Sequence, residues 1–408
     1  MFQTPEEINK EIEHQHSLYR SNQQNLHYIE DQITMFAGLA PIHLLRQRDA
    51  TENELGKILQ KTRELEQQKR LPVSAKKPEV SVHLLFNSLP TGVLHLYSPS
   101  DLPMFRYNII NITDTSVSIV LSSWIEQFSY MHNDTVSLAS GQRQTVGYLP
   151  TLKLDEVKNI YEVRKVVLHT RAVFLENGRE SLLFDQSYDV QLLARDVIIW
   201  AIIDEKDVND LSYQIAAWVT PNVTGVVDML RLAANYNARK QLQGYQGSGT
   251  LEQRAAVVRK QVKAIFQALK KHGTITYINS PISFGQKANE VQQRVNLPQY
   301  SLEHHQANCI DGAVLYASLI ERAAMKPVIV IIPGHAFVGW ETWENSGQYE
   351  FLETTMTGSD TFEAAFERGK QEFENVKPLL GRPLYDPNGF AVMLNVQELH
   401  KKGILPVE

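Results

Sequence analysis

The sequence contains one cysteine, Cys309, and the residues that follow it could support nucleophilic chemistry. A histidine, His335, and then a glutamate, Glu353, come after it in the chain. A thiol that attacks a carbonyl group needs a base to accept its proton and a carboxylate to orient that base. The order of the three residues therefore predicts a nucleophile, a base and an orienting acid. Taken singly, each has a simpler interpretation as a buried structural cysteine, a hydrogen-bonded strand histidine or a solvent-facing glutamate.

A helix is predicted to begin at the cysteine. Asn308 is a favourable N-cap residue, Asp311 lies three residues after it, and an apolar run follows from Ala313 to Ala324. Cys309 would then occupy the first helical position. Unpaired backbone N–H groups and the helix dipole at that position stabilise a thiolate.

Two strands are predicted to carry the other two residues. The apolar segment from Pro327 to Ile332 indicates a first strand, and His335 lies where the turn after it meets the next strand. Glu353 is predicted within a later strand, on the same face as Phe351 and Thr355. A helix end and adjacent antiparallel strands could therefore bring the three side chains together.

The chain resembles the transglutaminase-like cysteine peptidase superfamily, which has a papain-like fold. The resemblance covers about residues 255–370 and is carried by three segments, Asn308-Cys309-Ile310-Asp311, His335-Ala336-Phe337-Val338-Gly339-Trp340 and Glu353-Thr354-Thr355. The last segment departs from the family's Asp-Pro-Thr, because Glu replaces Asp and Thr replaces Pro. Gln293 to Pro298 and Gln306 to Cys309 also look like a bacterial branch in which a sandwich domain precedes the core.

The resemblance implies a cysteine peptidase that cleaves a peptide or isopeptide bond in a protein substrate, in a bacterial conflict or signalling system. Cys309, His335 and Glu353 would be the catalytic triad. The Cys309 backbone N–H would bind the oxyanion, supported by Gln306 or Asn308. Two alternatives stay open: a transamidase or deamidase acting on protein glutamine, and a catalytically silent scaffold that recruits partners.

The composition narrows the classes of partner. A net charge of −6 over 408 residues gives no overall attraction to nucleic acid or to anionic membranes. The adjacent pair His304-His305 is not a metal-binding pattern, and no metal or cofactor site is predicted. The single cysteine is typical of a reducing compartment. With no long apolar run and no apolar leader, a cytoplasmic protein is expected.

The periodicity of apolar residues predicts an α+β protein of three domains. Residues 1–70 show helical spacing with a break at Gly38 to Pro41, which indicates a helical hairpin or coiled-coil module, and residues 71–78 indicate a linker. Residues 79–203 alternate as strands do, with a turn at Asn177-Gly178, and predict an immunoglobulin-like sandwich. Residues 210–408 form the predicted papain-like domain. The apolar stripe of the hairpin is expected to bind a protein partner, the alternative being a cap on its own protein.

Overall fold

The computed structural model describes residues 5–35, 41–70, 76–176, 179–204, 207–278 and 290–407. The α-helices in these ranges are α1 (Pro5–Met35), α2 (Ile42–Arg70), α3 (Leu154–Val157), α4 (Thr224–Ala234), α5 (Leu251–Ala268), α6 (Pro298–His304), α7 (Cys309–Arg322), α8 (Phe362–Val376) and α9 (Val396–Lys401). Short 3-10 helices lie at Leu94–Leu96, Ser212–Trp218, Thr354–Met356 and Lys377–Leu379, and a π turn at Leu269–Gly273 follows α5.

The strands in the same ranges are β1 (Glu79–Leu84), β2 (Ser88–Pro90), β3 (Phe105–Ile110), β4 (Val117–Ile125), β5 (His132–Leu138), β6 (Arg143–Tyr148), β7 (Arg164–Glu176), β8 (Arg179–Leu193), β9 (Val197–Asp204), β10 (Asp207–Asp210), β11 (Thr276–Tyr277), β12 (Glu290–Arg294), β13 (Gln306–Ala307), β14 (Pro327–Ile332), β15 (His335–Glu341), β16 (Tyr349–Leu352) and β17 (Val392–Asn395). Helices and several sheets occur together, so the predicted α+β class is confirmed. None of the helices in the described ranges is long and apolar enough to cross a membrane.

Contacts divide the chain into two compact units. Unit 1 comprises Met1–Leu85, Pro103–Lys153 and Val167–Asp189, and unit 2 comprises Phe86–Leu102, Leu154–Val166 and Val190–Glu408. Part of the predicted sandwich, including β9, is therefore grouped with the C-terminal residues. The physical reason is strand pairing, because β9 is hydrogen-bonded to β12, far downstream in the sequence.

The first element of unit 1 is the helical hairpin of α1 and α2. Lys61 near the end of α2 forms a 2.8 Å ion pair with Glu11 near the start of α1, so the two helices run antiparallel. The predicted apolar stripe supplies buried residues on both helices, among them Ile8, Ile58 and Leu65. The predicted break at Gly38 to Pro41 except for Pro41 itself, most of the linker at 71–78 and the turn at Asn177-Gly178 lie outside the described residues.

Unit 1 also contains two sets of strands. β3 lies between β1 and β6 in one antiparallel sheet, and β4 lies between β5 and β7 in another. Alternate residues of β3 are buried, as expected for a strand with one face on a core. The hydroxyl of Tyr107 on β3 donates a 2.8 Å hydrogen bond to the carbonyl oxygen of Ser122 on β4 and so links the two sheets. The immunoglobulin-like type of this arrangement stays a prediction.

Unit 2 is built around an antiparallel sheet with the strand order β16-β15-β14-β17. Helix α7 packs on β14 and β15, and its residues from Ile310 to Ile320 are all buried. The β14–β15 hairpin turns at Pro333-Gly334, where Gly334 has a φ of +71°, a left-handed conformation that glycine adopts without strain. This sheet and α7 form the scaffold that positions Cys309, His335 and Glu353.

Candidate active site

Cys309 is the first residue of α7, as the sequence predicts. Asn308 is the N-cap, and its side-chain oxygen accepts a 2.9 Å hydrogen bond from the backbone N–H of Asp311. The Asp311 carboxylate in return accepts a 3.1 Å bond from the N–H of Asn308. This capping box fixes the start of the helix. Since a residue at this position has no intrahelical acceptor for its N–H, the Cys309 amide is left to donate to another group.

Asp311 also ties the start of the helix to the preceding loop. Its carboxylate accepts hydrogen bonds from the backbone N–H of Asn296 at 2.8 Å and from the Asn296 side-chain amide at 2.9 Å. Asp311 is 1% exposed, so these donors compensate for the cost of burying a carboxyl group. The Cys309 end of α7 is therefore held from two directions.

His335 opens β15 directly after the Pro333-Gly334 turn, as predicted. Its Nε2 atom lies 2.7 Å from Oε2 of Glu353. Because that nitrogen is engaged by the carboxylate, Nδ1 is the ring atom left to exchange a proton with a nucleophile. The two nitrogens can thus serve the two functions that a catalytic base needs.

Glu353 does not lie within a strand, so this part of the prediction is wrong. β16 ends at Leu352, and Glu353 is the N-cap of the following 3-10 helix. Its Oε1 accepts bonds from the backbone N–H of Thr355 at 2.9 Å and from the Thr355 hydroxyl at 2.6 Å. A carboxylate that binds nearby backbone in this way competes with continuation of the strand. The capping bonds hold the side chain so that Oε2 faces His335.

The electrostatics of the pair favour a charged imidazolium and a charged carboxylate. Burial alone would lower the pKa of His335, but interactions with Cys309, Glu353 and Glu372 outweigh burial and raise it well above its usual value. Burial alone would raise the pKa of Glu353, but hydrogen bonds from His335 and Thr355 outweigh burial and lower it. Opposite charges in close contact shift both groups in these directions.

Cys309 and His335 line the same cavity of about 370 Å³, together with Trp200, Tyr277 and Gln293. Cys309 is partly exposed and not buried as a structural cysteine would be. Burial raises the pKa of Tyr277, which keeps its phenol protonated beside Cys309. A reactant that enters this cavity would meet both Cys309 and His335.

The two predicted support residues are placed differently. Gln306 lies in β13, where its backbone pairs with Thr276 of β11, and it is not among the described residues that line the cavity. Asn308 does line the cavity, but its side-chain oxygen is used to cap α7. The Cys309 backbone N–H is therefore the donor best placed for an oxyanion.

Two other polar residues at the site were missed by the sequence reasoning. Gln293 faces the cavity, and its Oε1 accepts a 2.9 Å bond from the indole N–H of Trp200, which leaves its Nε2 to donate elsewhere. Glu372 on α8 has its Oε2 atom 3.6 Å from Nε2 of His335. Gln293 can be recognised as a site residue only because β12, which carries it, pairs with β9. Glu372 can be recognised only because α8, which carries it, packs on β16.

The cluster of His335, Glu353 and Glu372 also offers three atoms that could ligate a metal, all within 4.8 Å of one another. A nitrogen and two carboxylate oxygens form a donor set that suits several divalent cations. Metal binding needs a neutral imidazole, however, whereas the contacts around His335 raise its pKa. Nε2 of His335 is already 2.7 Å from Oε2 of Glu353, so a metal at this cluster would have to displace that hydrogen bond.

Comparisons with known proteins add little to this geometry. No family model matches the chain, and no curated protein matches it. A solved structure described as "CC2D1B coordinates ESRCT-III activity during the mitotic reformation of the nuclear envelope" aligns at 10% identity, over 48% of this chain and 84% of that one, with a TM-score of 0.12. A score this low carries no argument about fold or function.

Proposed function

We propose that this protein is a cysteine peptidase that cleaves a peptide or isopeptide bond in a protein substrate. The observation that carries the proposal is the 2.7 Å contact between His335 and Glu353 beside a thiol at a helix N-terminus. The resemblance of the surrounding segments to the transglutaminase-like superfamily supports it. A papain-like arrangement of α7 and its sheet is part of the same proposal, as is a setting in the bacterial cytoplasm, in a conflict or signalling system.

In the proposed mechanism, His335 holds the proton of the Cys309 thiol through Nδ1, and Glu353 stabilises the resulting imidazolium at Nε2. The contacts that raise the pKa of His335 favour its protonated form before substrate arrives. The thiolate sulfur then attacks the carbonyl carbon, and the carbonyl electrons move to oxygen. The new C–S bond gives a tetrahedral oxyanion.

The oxyanion would accept a hydrogen bond from the Cys309 backbone N–H, and the Nε2 group of Gln293 is a second donor on the cavity wall. Loss of one such donor typically costs about a hundredfold or more in rate. When the tetrahedral species collapses, the C–N bond breaks and the leaving amine takes the proton from His335. Water then attacks the thioester, gives a proton to His335, and releases the acid product and the free thiol.

The proposal is tested by incubating the full-length protein with a library of peptides, with and without an added primary amine, and identifying products by mass spectrometry. Cleaved peptides are expected. The Cys309→Ala and His335→Ala variants should each lose about 10⁴-fold or more in rate. Glu353→Gln should lose less, since an orienting residue contributes less than the nucleophile or the base.

Peptides joined to the amine would instead identify a transamidase, and conversion of glutamine to glutamate would identify a deamidase. If no peptide gives a product and the Cys309 thiol reacts only after denaturation, acyl-transfer chemistry is contradicted. That outcome would favour the alternative of a catalytically silent protein that recruits partners.

A further inference from the structure

The carboxylate of Glu372, next to the site, has one oxygen bonded to Arg368 and the other buried without a hydrogen-bond partner in the part of the chain that the structure describes. Its Oε1 atom accepts a 2.8 Å hydrogen bond from Nε of Arg368 and lies 2.8 Å from Nη2 of the same guanidinium. Its Oε2 atom is buried and has no hydrogen-bond partner among the described residues. That unpaired oxygen lies 3.6 Å from Nε2 of His335. A buried acceptor without a hydrogen-bond partner is destabilising, so the position of this carboxylate oxygen next to an imidazole needs an explanation.

The position of Glu372 is fixed by the packing of α8 on β16. A Cβ atom at Gly369 would come within 2.6 Å of the backbone of Leu352, so the helix approaches the strand as closely as glycine allows. The backbone N–H of Glu353 donates a 3.0 Å bond to the carbonyl oxygen of Ala365, one turn earlier on the helix. The rings of Phe351 and Phe373 stack with 3.8 Å between their centroids. These contacts place Glu372 beside Glu353.

The Nε2 atom of His335 therefore faces two carboxylates. Glu353 is at hydrogen-bonding distance and is oriented by Thr355, whereas Glu372 is slightly too far for a hydrogen bond and is oriented by Arg368. A negative charge within about 4–6 Å stabilises an imidazolium even without a hydrogen bond. Because Oε2 of Glu372 has no competing donor, it is free to accept the Nε2 hydrogen after a small movement of the ring.

We propose that Glu372 is a second positioning residue of the site, which stabilises the protonated His335 ring together with Glu353 and takes over its Nε2 hydrogen when Glu353 is replaced. This inference deepens the proposed function and rests on it for the role of His335 as a base. The alternative is that Glu372 serves only to hold Arg368 on the surface of α8.

The experiment follows the titration of the His335 ring by NMR in the full-length protein, with the resonance assigned by its loss in His335→Ala. The Glu372→Gln variant removes the charge while keeping an oxygen for Arg368, and it should lower the His335 midpoint by about one pH unit or more. Glu374→Gln is the matched control, because Glu374 is an exposed residue on the same helix, 3.8 Å from Lys377. It should leave the midpoint unchanged.

A third variant separates a role at the site from a structural one. Arg368→Gln breaks the ion pair but keeps the charge of Glu372, so the His335 midpoint should stay high. An unchanged midpoint in Glu372→Gln, or equal effects of Glu372→Gln and Arg368→Gln on midpoint and on unfolding temperature, would overturn the proposal.

Peptide cleavage provides a second readout. The double variant Glu353→Gln/Glu372→Gln should lose more activity than the product of the two single losses, as expected if one residue substitutes for the other. An activity loss in the double variant equal to the product of the two single losses would show that Glu372 does not take over from Glu353. If no peptide is cleaved at all, the NMR titration still decides whether Glu372 acts on His335, so failure of the proposed function and failure of this inference are distinguishable.

Discussion

At the scale of single residues, the site is an ion pair whose partners each depend on the other. His335 keeps its proton because Cys309 and two carboxyl groups surround it, and Glu353 keeps its charge because His335 and Thr355 donate to it. Removing His335 would leave the buried carboxylate of Glu353 without its charged partner, which is costly. The same contacts that prepare the chemistry therefore also stabilise the folded protein.

This coupling predicts how stability depends on pH. Because the pKa of His335 is raised on folding, its contribution is complete below the unfolded value of about 6.5 and is lost as pH rises through the folded value. Glu353 behaves in the opposite way, since its pKa is lowered, and its contribution is lost as pH falls below about 4.3. His335→Ala should thus lower the unfolding temperature most between about pH 5 and 6.5.

The measurement is thermal unfolding by circular dichroism from pH 4 to pH 10, with wild type and variant side by side. The difference should shrink toward alkaline pH. A difference that stays constant or grows as pH rises would show that His335 is not protonated in the folded protein.

At the scale of elements, the site depends on where α7 begins. The reciprocal bonds between Asn308 and Asp311 set that start, and the N–H of Cys309 at the first helical position has no intrahelical acceptor. Asn308→Ala is expected to cost about 1 kcal/mol of stability, and Asn308→Gly only a few tenths. Urea unfolding checks these values, and equal losses in the two variants would show that the cap is not what fixes the helix start.

The local part of this arrangement could be predicted from the sequence. Asn308, Cys309 and Asp311 form a capping signal that depends on neighbouring residues alone, and a proline-glycine turn before His335 is equally local. The end of β16 before Glu353 was not predicted, because bonds from Thr355 end the strand where alternation alone would continue it.

The long-range part could not be predicted in this way. Glu372 reaches His335 only because Gly369 lets α8 approach β16, and Gln293 reaches the cavity only because β12 pairs with β9. Neither contact has a signal in the spacing of nearby residues. β9 is grouped with unit 2 for the same reason, since it pairs with the distant strand β12.

At the scale of the whole molecule, the chemistry and the helical hairpin lie in different units. The site residues belong to unit 2, and α1 and α2 belong to unit 1. The hairpin buries part of its apolar stripe, including Ile8 and Ile58, and two other apolar residues, Tyr28 and Ile42, are exposed, at 63% and 68%. We propose that it serves to bind a protein partner and takes no part in the chemistry.

Deleting residues 1–75 should therefore leave peptide cleavage measurable while changing self-association or partner binding. Cleavage is followed by mass spectrometry, and association by light scattering. Loss of soluble folding on deletion, with no partner found for residues 1–75 alone, would identify the hairpin as a cap on its own protein.

The most direct test of the account is the rate at which iodoacetamide modifies Cys309 in the folded, full-length protein at pH 6. The thiol is the only one in the sequence, so intact mass reports on it without ambiguity. If His335 holds the proton of Cys309, the thiol should react faster than free cysteine at this pH, and His335→Ala should slow it by about tenfold or more. A thiol that reacts only after denaturation, or at the same rate in His335→Ala, would contradict the proposed nucleophile and base.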